Sequence, residues 1–141
     1  MHRLVCGVVL AAMPLAAVAA PPVAVSKPWM RYLLPNLPAA GYMTLTNNGS
    51  AAVVLSGAAS PDCGMLMLHE TEDNSGMAMM MDVPNITIPA GGSVSLAPGG
   101  YHLMCMQPVM KVGQSVPVTL SFQDGSSLAV SLPVYGATGA P

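Results

Sequence analysis

Turn-forming residues break this chain roughly every 8–12 residues, and the stretches between them alternate apolar and polar side chains. "GYMTLTN" sets Tyr42, Thr44 and Thr46 against Met43 and Leu45, the two-residue period of a strand with one buried face. "NNGS" at 47–50 is a turn, and "AAVVLSGA" reads as the return strand. "SVPVTLSF" and "SLAVSLPV" flank "QDGS", a hairpin with an Asp-Gly turn. No stretch carries the 3.6-residue period of a long helix. The chain therefore reads as all-β, a single-domain antiparallel sandwich or Greek-key barrel.

The first residues stand apart from that domain. Arg3 precedes the apolar run "LVCGVVLAAMPLAAVAA", which ends in small residues, and Ala17-Val18-Ala19 fits a cleavage site. Residues 1–19 are expected to be a secretory signal peptide, with the mature chain in the periplasm and no membrane span after cleavage. Cys6 lies at the very start of the apolar run, too near the beginning of the chain to read as a lipidation site. Residues 20–40 are rich in Pro and Ala and read as an irregular lead-in or a Pro-interrupted edge strand. The β domain is expected over 41–135, with a loose tail at 136–141.

Composition narrows the function. Only 7% of residues are charged. Beyond the leader, Lys27, Arg31 and Lys111 face six acidic side chains. With no basic patch to hold phosphates, nucleic acid is excluded as a natural partner. The chain is methionine-rich, with 13 in all, whereas of three histidines only His69 and His102 lie beyond the leader.

Both histidines have thioethers within reach. In "YHLMCM" strand alternation places His102 and Met104 on one face and Leu103 and Cys105 on the other. "MLMLHE", 65–70, reads as a buried strand ending at His69. "TEDNSG", 71–76, reads as a polar loop tip, and "MAMMMDV" as a returning strand of thioethers. If these two strands form a hairpin, His69 lies near Met77 to Met81. Thioethers bind Zn²⁺, Mg²⁺ and Ca²⁺ poorly but Cu(I) well, so imidazole with thioether points to copper.

Here the sequence resembles the periplasmic copper chaperones called PCu(A)C. Their pattern is His, ten residues, Met, twenty-one residues, then His-x-Met, and His69, Met80, His102 and Met104 match it. "LHE", Gly76 and "IPAGGSVSLAPGGYHLM" add to the likeness, which covers roughly residues 27–135. The resemblance implies a cupredoxin-like β-barrel holding one Cu(I) through those four residues. It also implies delivery of copper toward the CuA subunit of cytochrome c oxidase, beside Sco-type proteins. The chain departs from the family in lacking a methionine soon after the first histidine, and in carrying Cys63 and Cys105.

The remaining sulfur has plainer readings. Met30, Met43, Met106 and Met110 are expected to pack, as are Met65 and Met67, which share the face of His69 and have ligation as their alternative; Met77 is the candidate auxiliary ligand. Trp29 and Tyr101 read as core or rim aromatics. Cys63 and Cys105 are compatible with a disulfide, two buried thiols or copper ligation. The acidic run 70–73 would guide a basic partner. With both histidines committed to metal, no hydrolytic triad assembles and the chain reads as a non-enzyme. The competing functions are a blue-copper-like electron carrier, a copper-tolerance or storage protein, and an interaction module whose methionines only pack.

Overall fold

The computed structural model describes residues 11–15, 18–74 and 76–141. The signal-peptide reading falls largely outside them. Among the described residues no helix is long and apolar enough to cross a membrane. Ten strands make up the fold among the described residues. The first five are β1 (Val23–Arg31), β2 (Ala39–Asn47), β3 (Val53–Ala59), β4 (Met65–Asn74) and β5 (Met77–Asp82). Then come β6 (Ile86–Ile88), β7 (Ser93–Leu96), β8 (Tyr101–Met106), β9 (Ser115–Phe122) and β10 (Ser127–Tyr135).

They form one hydrogen-bonded sheet in the order β5-β4-β8-β7-β2-β1-β10-β9-β3-β6, with β8 also pairing β2 directly. A parallel contact, Met30 opposite Val134, joins β1 to β10 and links the two halves. The sheet folds over so that β3 comes beside β4 without pairing, and a cleft lined by Ser56, Gly57, Leu66 and Leu68 runs between them. The architecture is the expected all-β one, built from an open, folded sheet. Leu45, Leu55, Ile88, Leu103, Leu120 and Leu132 fill the space between the halves with no exposed surface.

The β9–β10 hairpin follows its pattern closely. β9 alternates exposed and buried along its whole length. Gly125 takes a φ of +88°, which glycine adopts without strain. Asp124 Oδ1 accepts from the Ser126 amide at 2.9 Å and from its hydroxyl at 2.6 Å. These bonds hold the exposed Asp124 carboxyl below its ordinary pKa.

Four local expectations need correction. Residues 23–31 are neither a lead-in nor an edge, because β1 lies between β2 and β10. Pro28 is accommodated by a bulge where the register shifts between Ser26 and Trp29, with Lys27 at φ +51°. "NNGS" does not close a hairpin between β2 and β3. The fully buried Asn47 donates from Nδ2 to the carbonyls of Ala51 and Ile88, which ties the turn to β6 and sends the chain into the other half. "TEDN" is strand, since β4 pairs with β5 as far as Asn74 opposite Met77, leaving the turn at Gly76. Finally, 65–70 is buried on one face only: Leu66 and Leu68 point inward, while Met65 is 58% exposed.

One of the cysteine alternatives is realised. Cys63 and Cys105 form a disulfide with their Cα atoms 5.3 Å apart. It ties β8 to the connection between β3 and β4 across a sequence separation of 42. Closing a loop of that length stabilises the fold by about 4 kcal/mol through the unfolded chain's lost entropy.

Candidate metal centre

β8 divides by face. Leu103 and Cys105 join the core, while His102 and Met104 occupy the outer face and belong to no part of it. β4 runs antiparallel beside β8 with His69 directly opposite His102 and Met67 opposite Met104. Directly opposed residues share a face, so these four side chains form two adjacent rungs. The imidazole centroids lie 5.7 Å apart with ring planes at 70°.

β5 adds its own residues to this face. Asp82 pairs with His69, and Met80 pairs with Thr71. Asp82 Oδ1 is 2.6 Å from His69 Nε2. That contact is out of line for a hydrogen bond, and neither ring nitrogen of His69 has a partner that meets hydrogen-bond geometry. Asp82 itself is 81% exposed, so it screens the histidine from the solvent side.

His102 is only 3% exposed. Its Nδ1 lies 3.1 Å from the Gly100 carbonyl. A carbonyl can only accept, so Nδ1 carries the hydrogen and Nε2 presents a lone pair. Nε2 is buried and has no hydrogen-bond partner. Leaving such a group unsatisfied costs about 1–3 kcal/mol. A metal ligand is oriented in the same way: one ring nitrogen anchored to a carbonyl, the other bare.

An aromatic wall borders the site. Tyr42 on β2 lies 6.5 Å from the His102 ring, and Trp29 on β1 lies 4.8 Å from Tyr42. The Arg31 guanidinium sits 4.9 Å from the Trp29 centroid and 6.0 Å from that of Tyr42. Burial raises the Tyr42 phenol above its ordinary pKa, and the Arg31 charge partly offsets this. Glycine at 41 lets β2 approach here, since a Cβ would stand 3.1 Å from Leu132 and 3.2 Å from Leu103.

The four residues expected to hold metal are therefore not equally placed. His69, His102 and Met104 are contiguous. Met80 shares their face but stands one strand out, on the far side of the histidine rung from Met104, and is 61% exposed. Met77, Met79 and Met81 alternate with Met80 and so point away from it, which takes the auxiliary reading of Met77 away from this face. Met67, expected mainly to pack with ligation as the alternative, is half-buried on the site face. Met65 and Met106, 58% and 37% exposed, continue that face as a third rung. Asp82 and Tyr42 escape a sequence reading because their roles depend on register, and Gly100 because its role depends on the local backbone turn into β8. The hairpin between 65–70 and 77–82 was the one available signal for Asp82.

Cys105 lies on the opposite face with its sulfur bound to Cys63. Among the described residues no free thiolate stands beside the histidines, so a blue-copper set cannot form here. Nor do three or more His, Cys, Asp or Glu side chains among the described residues group around one point.

Residues 23–134 match the family described as "Putative lipoprotein LpqE-like". The chain belongs to this LpqE-like family. A relative from Leifsonia xyli subsp. xyli, described as "Putative lipoprotein Lxx21020", is 38% identical over 121 residues, which is 84% of this chain and 72% of that protein. Among solved structures, apo-DR1885 from Deinococcus radiodurans is 35% identical, with a TM-score of 0.63 over 99% of each chain. The Cu(I) form of DR1885 is likewise 35% identical, with a TM-score of 0.64 over 86% of this chain and 82% of that one. The copper-bound PCuAC domain of PmoF2, at 23% identity, shares the fold with a TM-score of 0.69 over 84% of this chain and 97% of the domain.

Proposed function

We propose that this LpqE-like protein is a Cu(I) carrier acting outside the cytoplasm, in the periplasm. It would hold the ion through His69, His102 and Met104, with Met80 joining from the hairpin. The single observation that carries this reading is the buried, unpartnered Nε2 of His102, facing His69 across the ladder and adjacent to the Met104 thioether. Gly100 sets the tautomer that leaves this nitrogen free. The soft thioethers select Cu(I) over Zn²⁺ and hard cations. Likeness to a Cu(I)-bound relative of 35% identity supports the same cargo.

The ion is cargo, so the chemistry is ligand exchange and the protein has no need of a catalytic group. Met80, exposed and peripheral, is the thioether best placed to join or leave as copper arrives or departs. Glu70, Glu72, Asp73 and Asp82 make the hairpin acidic, which favours encounter with a cation or a basic partner. The Cys63–Cys105 disulfide supports an oxidising compartment, as do the lipoprotein descriptions of its relatives. Delivery toward the CuA subunit of cytochrome c oxidase, beside Sco-type proteins, rests only on the resemblance to the PCu(A)C chaperones. Anaerobic Cu(I) titration against a competing chelator, followed by mixing with an apo CuA domain, tests both parts. Tight binding and transfer are expected. No binding removes the carrier reading, while binding without transfer favours storage or copper tolerance.

A further inference from the structure

The outer face of β4 and β8 does not stop at the histidines. Below the rung of His69 and His102 come Met67 opposite Met104, then Met65 opposite Met106. Opposed Cβ atoms stand about 5 Å apart across a ladder, and rungs on one face follow at roughly 6.5–7 Å. Four long, flexible thioethers thus occupy the corners of a small rectangle that adjoins the proposed copper site. Ala40, the β2 residue opposite Met104, brings only a methyl group against it.

Packing does not account for the outer part of this ladder. None of the four methionines joins the main core cluster, which takes Met30, Met43 and Met110 instead, although Met104 is itself buried. Exposure rises outward, from 7% at Met104 to 37% at Met106 and 58% at Met65. Met106 also borders an open apolar groove with Pro35, Leu37, Pro108 and Val109. Met77, Met79 and Met81 are exposed too, but alternation aims them to the other side, away from this ladder.

We propose that Met65, Met67 and Met106 form a second, weaker Cu(I) site, with Met104 standing between it and the histidine site as a shared ligand. Copper stays Cu(I) throughout. Each move along the ladder exchanges one thioether for another, with no electron or proton transferred. An all-thioether site is softer and more exposed than the histidine site and serves as the place of entry or release. The proposal rests on the Cu(I)-carrier reading.

The test is anaerobic Cu(I) titration of the full mature chain carrying ¹³C-methyl methionine, read by NMR and by chelator competition. Wild type is expected to bind a first equivalent that shifts the Met104 methyl. A second, at least about tenfold weaker, should shift Met65 and Met106. In the double variant Met65→Leu, Met106→Leu the second equivalent should be lost and the first kept. Met79→Leu with Met81→Leu, on the opposite face, should change neither. One equivalent only, with the Met65 and Met106 methyls unmoved, overturns the second site and leaves the carrier reading intact. No binding at all overturns both.

Discussion

The two faces of β8 are buried to nearly the same degree and do opposite work. Inward, Leu103 and Cys105 have no exposed surface; outward, His102 is 3% exposed and Met104 7%. The inner face is satisfied, by apolar contact for Leu103 and by a covalent bond for Cys105. The outer face keeps a buried nitrogen with nothing to bind it. Burial therefore does not separate scaffold from site in this molecule. What separates them is whether each buried group has a partner in the folded chain alone, since a stability cost left standing marks a place for something else.

Breaking the inner face should have the largest effect. Replacing Cys63 and Cys105 together with serine should lower unfolding free energy by about 4 kcal/mol, read from chemical denaturation under non-reducing conditions. Leu103→Ala should follow, at about 3 kcal/mol from lost burial and the cavity left behind. If copper affinity collapses in Leu103→Ala while the protein is still folded, the two faces are less independent than their geometry implies.

The outer face should respond the other way. His102→Leu keeps most of the volume and removes the unsatisfied nitrogen, so apo stability should hold or rise by about 1 kcal/mol. Cu(I) affinity should fall by about 100-fold or more, because even groups that only orient a ligand are worth 10–100-fold. A drop in apo stability as large as that of Leu103→Ala would make His102 a core residue instead. Met80→Leu sharpens the picture within the site. Its peripheral place predicts a loss of about tenfold, smaller than for His102, and a faster release of copper in stopped-flow transfer.

The smallest effect belongs to the β9–β10 turn, far from the site. The Ser126 bonds depress the Asp124 pKa in the folded state, so their contribution is present above the unfolded carboxyl's pKa and fades as pH falls through the folded one. Asp124→Asn should flatten that acid limb of the stability curve slightly and leave copper binding unchanged.

Much of this was legible before folding. Alternation in "YHLMCM" assigned His102 and Met104 to one face, the pairing of imidazole with thioether pointed to soft-metal chemistry, and the spacing from His69 and Met80 carried the resemblance to the PCu(A)C family. Reading turns from polar side chains failed on "TEDN", and at "NNGS" the turn was right but the hairpin drawn from it was not. "TEDN" continues β4 because its backbone finds partners on β5. "NNGS" turns, but Asn47 directs it toward β6. Met65 and Met106 were misread as packing because an apolar residue on a strand is core by default, and nothing local says which face the sheet will leave outside.

By itself, then, the sequence determined period and face, since each follows from the geometry of a single extended backbone. Tertiary structure decided register and partnership. It set His69 opposite His102 and not one residue away, a slip that would have turned one imidazole into the core. It chose the disulfide among the cysteine alternatives by bringing two Cα atoms within 5.3 Å. Both depend on contacts between residues distant in the chain, which no local pattern encodes.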